Sequence, residues 1–97
     1  MSLPIGSQKR TTDGVIGTSA KKIRVYGLIV RAGGSDTVLN VYDGTSTGGV
    51  LMDIVNAAAN TTTARMYAGG LYLGSGCFLD VDANISFVTA IYEQENA

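Results

Sequence analysis

Short β-branched and aromatic runs, cut by a turn signal every ~8–12 residues, leave this chain little choice but a layered all-β fold. The clearest runs are Ile23–Arg31, Thr37–Tyr42, Val50–Val55, Thr61–Tyr67, Cys77–Asp82 and Ile85–Tyr92, with Leu71-Tyr72-Leu73 as a shorter one. Gly33-Gly34-Ser35, the loop Asp43–Gly49, Gly69-Gly70 and Gly74-Ser75-Gly76 separate them. Thirteen glycines against one proline suit tight turns and not a disordered linker. The one helix candidate, Asn56–Asn60, is too short to stand. The expectation is therefore an antiparallel β-sandwich, jelly-roll or immunoglobulin-like, of seven to eight short strands. It occupies residues 21–93, after an extended N-terminal arm over residues 1–20 and before a polar tail over residues 94–97.

The facing of the strands bears on function. Counted by strict alternation, Ile23, Val25 and Ile29 share one face of the first long strand and Tyr26, Leu28 and Val30 the other. In the last strand Ile85, Phe87 and Ile91 oppose Val88, Ala90 and Tyr92. An antiparallel sheet with one wet face should alternate apolar with polar, so these strands call for a cover on both sides. Charged residues are 15% of the chain, against roughly 25% in an average soluble domain. A chain of 97 residues has no spare layer, and another protomer is the simplest cover. A small closed barrel, with its outer face under a loop or the arm, is the alternative. On the first reading Tyr26, Leu28, Val30, Val88 and Tyr92 form a protomer interface.

Catalytic chemistry finds few candidates. The chain has no histidine, which removes the commonest general base and transition-metal ligand. With one cysteine, Cys77, neither an internal disulfide nor a zinc site of the usual ligands is possible. Cys77 sits in an apolar run and reads as a small buried hydrophobe. The loop Asp43–Gly49 has the glycines of a phosphate cradle but lacks its lysine and its following helix, so it reads as a hairpin loop. Asp80, Asp82 and Asn84 imitate the start of a calcium loop, yet Ile85 and Ile91 stand where that loop needs Gly and Glu. No enzyme activity, cofactor or metal is expected, and a small-molecule ligand has little to recommend it.

A formal charge of −1 gives no basic footprint for nucleic acid. No apolar stretch reaches the ~18–20 residues of a membrane span, and the N-terminus lacks the core of a signal peptide. The Asn60 and Asn84 sequons then read as chance matches in a protein made in a cytoplasm. Five tyrosines and no tryptophan leave sugar stacking open, with Tyr26 and Tyr42 close together if their strands pair; tyrosine is equally ordinary at interfaces.

From Ile23 to Tyr92 the chain resembles a loose family of small β-sandwich proteins of tailed bacteriophages. The resemblance lies in a first strand like Ile23–Val30, a strand ending Val41-Tyr42-Asp43-Gly44-Thr45-Ser46, and a Gly-rich loop before Val50-Leu51. The stretch from Gly70-Leu71 to Gly76-Cys77-Phe78-Leu79-Asp80-Val81 and a last strand ending in Tyr92 complete it. It implies a structural virion protein, first a capsid decoration (cement) protein, otherwise a carbohydrate- or receptor-binding or adaptor module of a fibre or tail. It further implies a homotrimer on the capsid surface, made in the host cytoplasm, whose partner is the major capsid protein. The arm would touch the shell, through Pro4, Ile5, Lys9, Arg10, Val15 and Ile16. Binding only the assembled shell would stabilise that state by mass action and multivalency.

Overall fold

The computed structural model describes residues 5–18 and 21–94. These form β1 (Gly6–Arg10), β2 (Gly14–Ile16), β3 (Ile23–Ala32), β4 (Thr37–Asp43), β5 (Val50–Ala57), β6 (Thr62–Leu73), β7 (Cys77–Val81) and β8 (Ile85–Gln94). Two four-stranded antiparallel sheets pack face to face, ordered β1-β8-β3-β6 and β2-β7-β4-β5. Within them the first strand pairs with the last, the second with the seventh, the third with the sixth and the fourth with the fifth. That nesting, a long hairpin of strand pairs rolled across two layers, is the jelly roll. Only β4 and β5 are neighbours both in sequence and in one sheet; every other connection changes sheet.

The core lies between the layers. Ile23, Val25, Leu28, Val30, Val88 and Ala90 meet Ile16, Leu39, Val41, Val55, Cys77 and Leu79 from the other sheet. Each Val, Ile or Leu buried this way contributes about 1.5–3 kcal/mol. The ends of the sandwich are tied loop to loop. At one end Gly33 N–H donates to Asn84 O at 2.7 Å and Asn60 N–H donates to Gly33 O at 2.7 Å. At the other, Gly44 N–H donates to Gly76 O at 3.0 Å. Aspartates reinforce both ends: Asp13 accepts from Val81 N–H, Asp36 from Ala59 N–H and Asp43 from Ser75 N–H.

Two bulges account for the strands that looked apolar on both faces. Between Val25 and Gly27 the register against β8 slips by one, leaving Tyr26 unpaired. Against β6 the same point faces Tyr67–Gly70, a wide bulge that Gly69 and Gly70 allow with φ of 76° and 90°. The extra residue reverses the alternation. Ile23 and Val25 point inward before it, Leu28, Val30 and Ala32 after it. A second slip at Arg31/Ala32 does the same in β8, so Ile85, Val88 and Ala90 all face the core.

The described part of residues 1–20 is not a free arm. β1 pairs along β8 and β2 along β7, so both are edge strands of the sandwich. The segment carries local pairing potential that its glycines and polar residues masked. Gln94, read as the start of a tail, ends β8 and is buried. Asn56–Asn60 is no helix: it completes β5 and turns through Asn60 at φ 60°.

Candidate functional site

The outer face of the β2-β7-β4-β5 sheet carries a continuous apolar row. Val15 stands opposite Phe78, Phe78 opposite Tyr42, and Tyr42 opposite Leu51, one side chain from each strand. Val15, Phe78 and Tyr42 alternate with core residues (Ile16, Cys77, Leu79, Val41), so the pleat turns them away from the interior. Leu51 joins them opposite Tyr42, beyond a register slip between Val41 and Tyr42, in an exposed stretch Val50-Leu51-Met52. Tyr42 and Phe78 touch with ring centroids 6.5 Å apart at 55°. Beside the row, Asn40 stands between Asp80 and Ile54 and donates to Asp80 Oδ2 at 3.3 Å. Leu51, Ile54 and Val38 are 47%, 43% and 37% exposed on this face. Apolar surface gathered in this way is what a docking face offers.

The β5 edge of that face is blunted at Ile54. The Asp53 carboxylate accepts from Ile54 N–H at 2.8 Å and from Tyr67 Oη at 2.6 Å, and it meets Arg65 Nε at 3.4 Å. Arg65 Nη2 donates in turn to Ile54 O at 3.2 Å. Both backbone groups of Ile54 are thus engaged by side chains, which blunts the edge of β5 against pairing with another strand. Burial, then the bond to Asp53, pushes the Tyr67 phenol above its ordinary pKa.

The second sheet offers a different outer face. Ile29, Phe87 and Ile91 are half-buried there, and Lys9 Nζ lies 5.0 Å from the Phe87 ring centroid, a cation–π contact. Met66, exposed, leans over Gly27. Tyr26 is half-buried, and its hydroxyl reaches Glu93 Oε1 at 3.3 Å.

The residues singled out in the sequence scatter over this frame. Leu28, Val30 and Val88 are fully buried in the core and cannot meet a protomer. Tyr92 packs against the core at its edge, and Tyr26 alone of that set reaches an outer face. Ile16 is also core. Arg10 turns back on its own segment, donating to Thr12 O, Asp13 O and Val15 O. Lys9 and Val15 lie on opposite outer faces, Ile5 is exposed ahead of β1, and Pro4 falls outside the described residues. Tyr26 and Tyr42 sit in different sheets and face opposite ways, so they form no common groove.

Sequence reasoning missed the row through Tyr42 and Phe78, although its signal was present. Tyr42, Asn40 and Val38 alternate with Val41, Leu39 and Thr37, and Phe78 with Cys77 and Leu79. What alternation alone does not supply is the register that aligns them.

Other chemistry is sparse among the described residues. Cys77 is buried, and desolvation pushes its thiol up to about 12, so it stays protonated and is no nucleophile. No group of three metal-ligating side chains converges among the described residues; Asp82 accepts from Asn84 N–H within its turn. A shallow groove of about 350 Å³ opens between the start of β4 and the end of β5, lined by Asp36, Thr37, Val38, Asn56, Ala57 and Ala58.

No protein-family model matches the chain, and neither the characterised proteins nor the solved structures contain a match.

Proposed function

We propose that this chain is a structural assembly module that works by docking, as a capsid decoration protein of the type its sequence resembles. The observation that supports the reading is the apolar row Val15-Phe78-Tyr42-Leu51 with Ile54 and Val38 beside it, on the outer face of one sheet. Such a face buries its apolar side chains against a flat partner surface without changing shape, and many weak copies on a lattice add by multivalency. The partner is the major capsid protein, the place the surface of the virion, and no reaction is involved. The homotrimer comes with the resemblance; the two bulges remove only the two-faced strands that separately called for a second protomer.

The test is co-sedimentation of the purified chain with heads assembled from the major capsid protein of the same genome. The chain should pellet with expanded heads and raise their melting temperature, and Leu51→Lys/Ile54→Lys should abolish both effects. A chain that stays in the supernatant at every concentration up to about ten times that of its sites refutes the reading. The second reading, a carbohydrate-binding module of a fibre or tail, draws on the same Tyr42–Phe78 pair. It predicts a glycan-array signal lost on Tyr42→Ala.

A further inference from the structure

Charge is sorted by layer. Lys9 and Arg10 belong to β1, Arg24 and Arg31 to β3 and Arg65 to β6, while Lys21 and Lys22 directly precede β3. Every cation of the chain therefore lies in, or next to, the β1-β8-β3-β6 sheet. The aspartates lie with the other layer. Asp43, Asp53 and Asp80 are in β4, β5 and β7, Asp13 and Asp36 directly precede β2 and β4, and Asp82 directly follows β7. Glu93 in β8 is the acid on the basic side, and Glu95 lies outside the described residues. The sandwich is thus a slab with one basic and one acidic layer, although its net charge is only −1.

Each outer face has an apolar centre. On the basic side Ile29, Phe87 and Ile91 sit among Lys9, Arg24 and Arg31, with Glu93 opposite Arg24. On the acidic side the Val15–Leu51 row runs beside Asp80, while Asp13, Asp36 and Asp43 hold backbone N–H groups at the ends of the slab and Asp53 pairs with Arg65. From this complementarity we infer that copies of the chain associate head to tail, the basic outer face of one on the acidic outer face of the next. Like faces repel each other, so a two-fold dimer through either face is disfavoured. The two faces lie on opposite sides of one slab. The contact therefore repeats as an open stack and does not close at three, as heterologous contacts do when the rotation fails to form a ring. The slab's shortest extent is 19 Å, so the stack repeats at about 20 Å, two sheet-to-sheet spacings of ~10 Å.

The inference rests on the docking reading only in using the same acidic-side face, and its test uses the purified chain alone. Failure to self-associate therefore leaves shell binding untouched, and the reverse holds as well. Sedimentation velocity at micromolar to millimolar concentration should show mass growing past the dimer without a limit. The association constant should fall at least tenfold between about 0.05 M and 0.5 M salt, as the screening length shrinks to a few ångström. Lys9→Glu/Arg24→Glu and Leu51→Lys/Asp80→Lys, each confirmed as folded by circular dichroism, should each be monomeric alone and associate again when mixed. The salt series on the unaltered chain decides the matter if either variant fails to fold. A closed trimer or dimer, a monomer at about 1 mM in low salt, association indifferent to salt, or either variant associating alone like the parent overturns it.

Discussion

Gln94 and Thr18 hold each other by two bonds that imitate a strand pair. The Gln94 amide oxygen accepts from Thr18 N–H at 2.7 Å, and its nitrogen donates to Thr18 O at 2.8 Å. The side chain is buried at the end of β8 and ties the segment after β2 to the opposite sheet. Its removal leaves a backbone donor and acceptor short of partners in a half-dry site.

Gln94→Ala should therefore cost about 2–3 kcal/mol, a fall of roughly 10–20 °C in melting temperature for a domain of this size. Gln94→Glu separates the two bonds. It keeps the acceptor but turns a carboxylate toward Thr18 O, so stability should drop at pH 7 and partly recover near pH 4, where the acid can donate. Thermal melts of both variants at the two pH values check this. A cost below about 0.5 kcal/mol for the alanine would show that solvent replaces the pair.

How far the sequence discloses this molecule depends on where its alternation breaks. The run Cys77-Phe78-Leu79-Asp80 sorts correctly into core and surface because β7 is unbroken, and so does Thr37–Tyr42. Ile23–Arg31 does not, because one inserted residue at Tyr26 reverses every facing after it. No residue type announces that slip; its partner signal, Gly69-Gly70, lies more than forty positions away on β6 and reads locally as a turn. The same error moved Leu28 and Val30 from the core to a supposed interface. Residues 6–16 look like an arm because edge strands need little burial, and only the pairing with β8 and β7 reveals them.

The bulge itself can be tested at Gly70. Its φ of 90° suits glycine alone, and a Cβ there would press on the Arg24 stem. Gly70→Ala should cost about 1–3 kcal/mol through strain, whereas Gly34→Ala, with nothing near its Cβ, should change stability by less than about 0.5 kcal/mol. Urea denaturation of the two variants distinguishes them. Equal effects would mean that the wide bulge relaxes without penalty.

Alkaline pH should loosen the fold through Cys77 and Tyr67. Burial raises the Cys77 thiol from its ordinary 9.0 to about 12, so the folded state holds its proton while the unfolded chain releases it. The sign follows: stability is complete below pH 9 and falls as pH rises toward 12. The slope is about 1.4 kcal/mol per pH unit from this group, and the raised Tyr67 phenol adds to it above its ordinary 10.0. Urea midpoints at pH 7, 9 and 10.5 should fall in the parent and fall less in Cys77→Ala, though that variant starts lower at pH 7 because it leaves a small cavity. Identical slopes in parent and variant would contradict the buried thiol.

Asp53 does two jobs that a pair of substitutions can separate. Its carboxylate gathers Ile54 N–H, Tyr67 Oη and Arg65 Nε, and Arg65 covers Ile54 O. Arg65 is 45% exposed in that ion pair, so Arg65→Ala should cost less than about 1 kcal/mol. Asp53→Ala also strands the half-buried Tyr67 hydroxyl and should cost about 2–3 kcal/mol. Each change frees one backbone group of Ile54 (the N–H in Asp53→Ala, the carbonyl in Arg65→Ala) in the run Val50-Leu51-Met52-Asp53-Ile54-Val55, an apolar edge strand able to template another chain. Light scattering and thioflavin fluorescence should therefore rise in both variants, in Arg65→Ala while its melting temperature is nearly unchanged. If aggregation instead follows lost stability alone, Arg65→Ala will stay clear, and the edge will have been guarded by the fold and not by these two side chains.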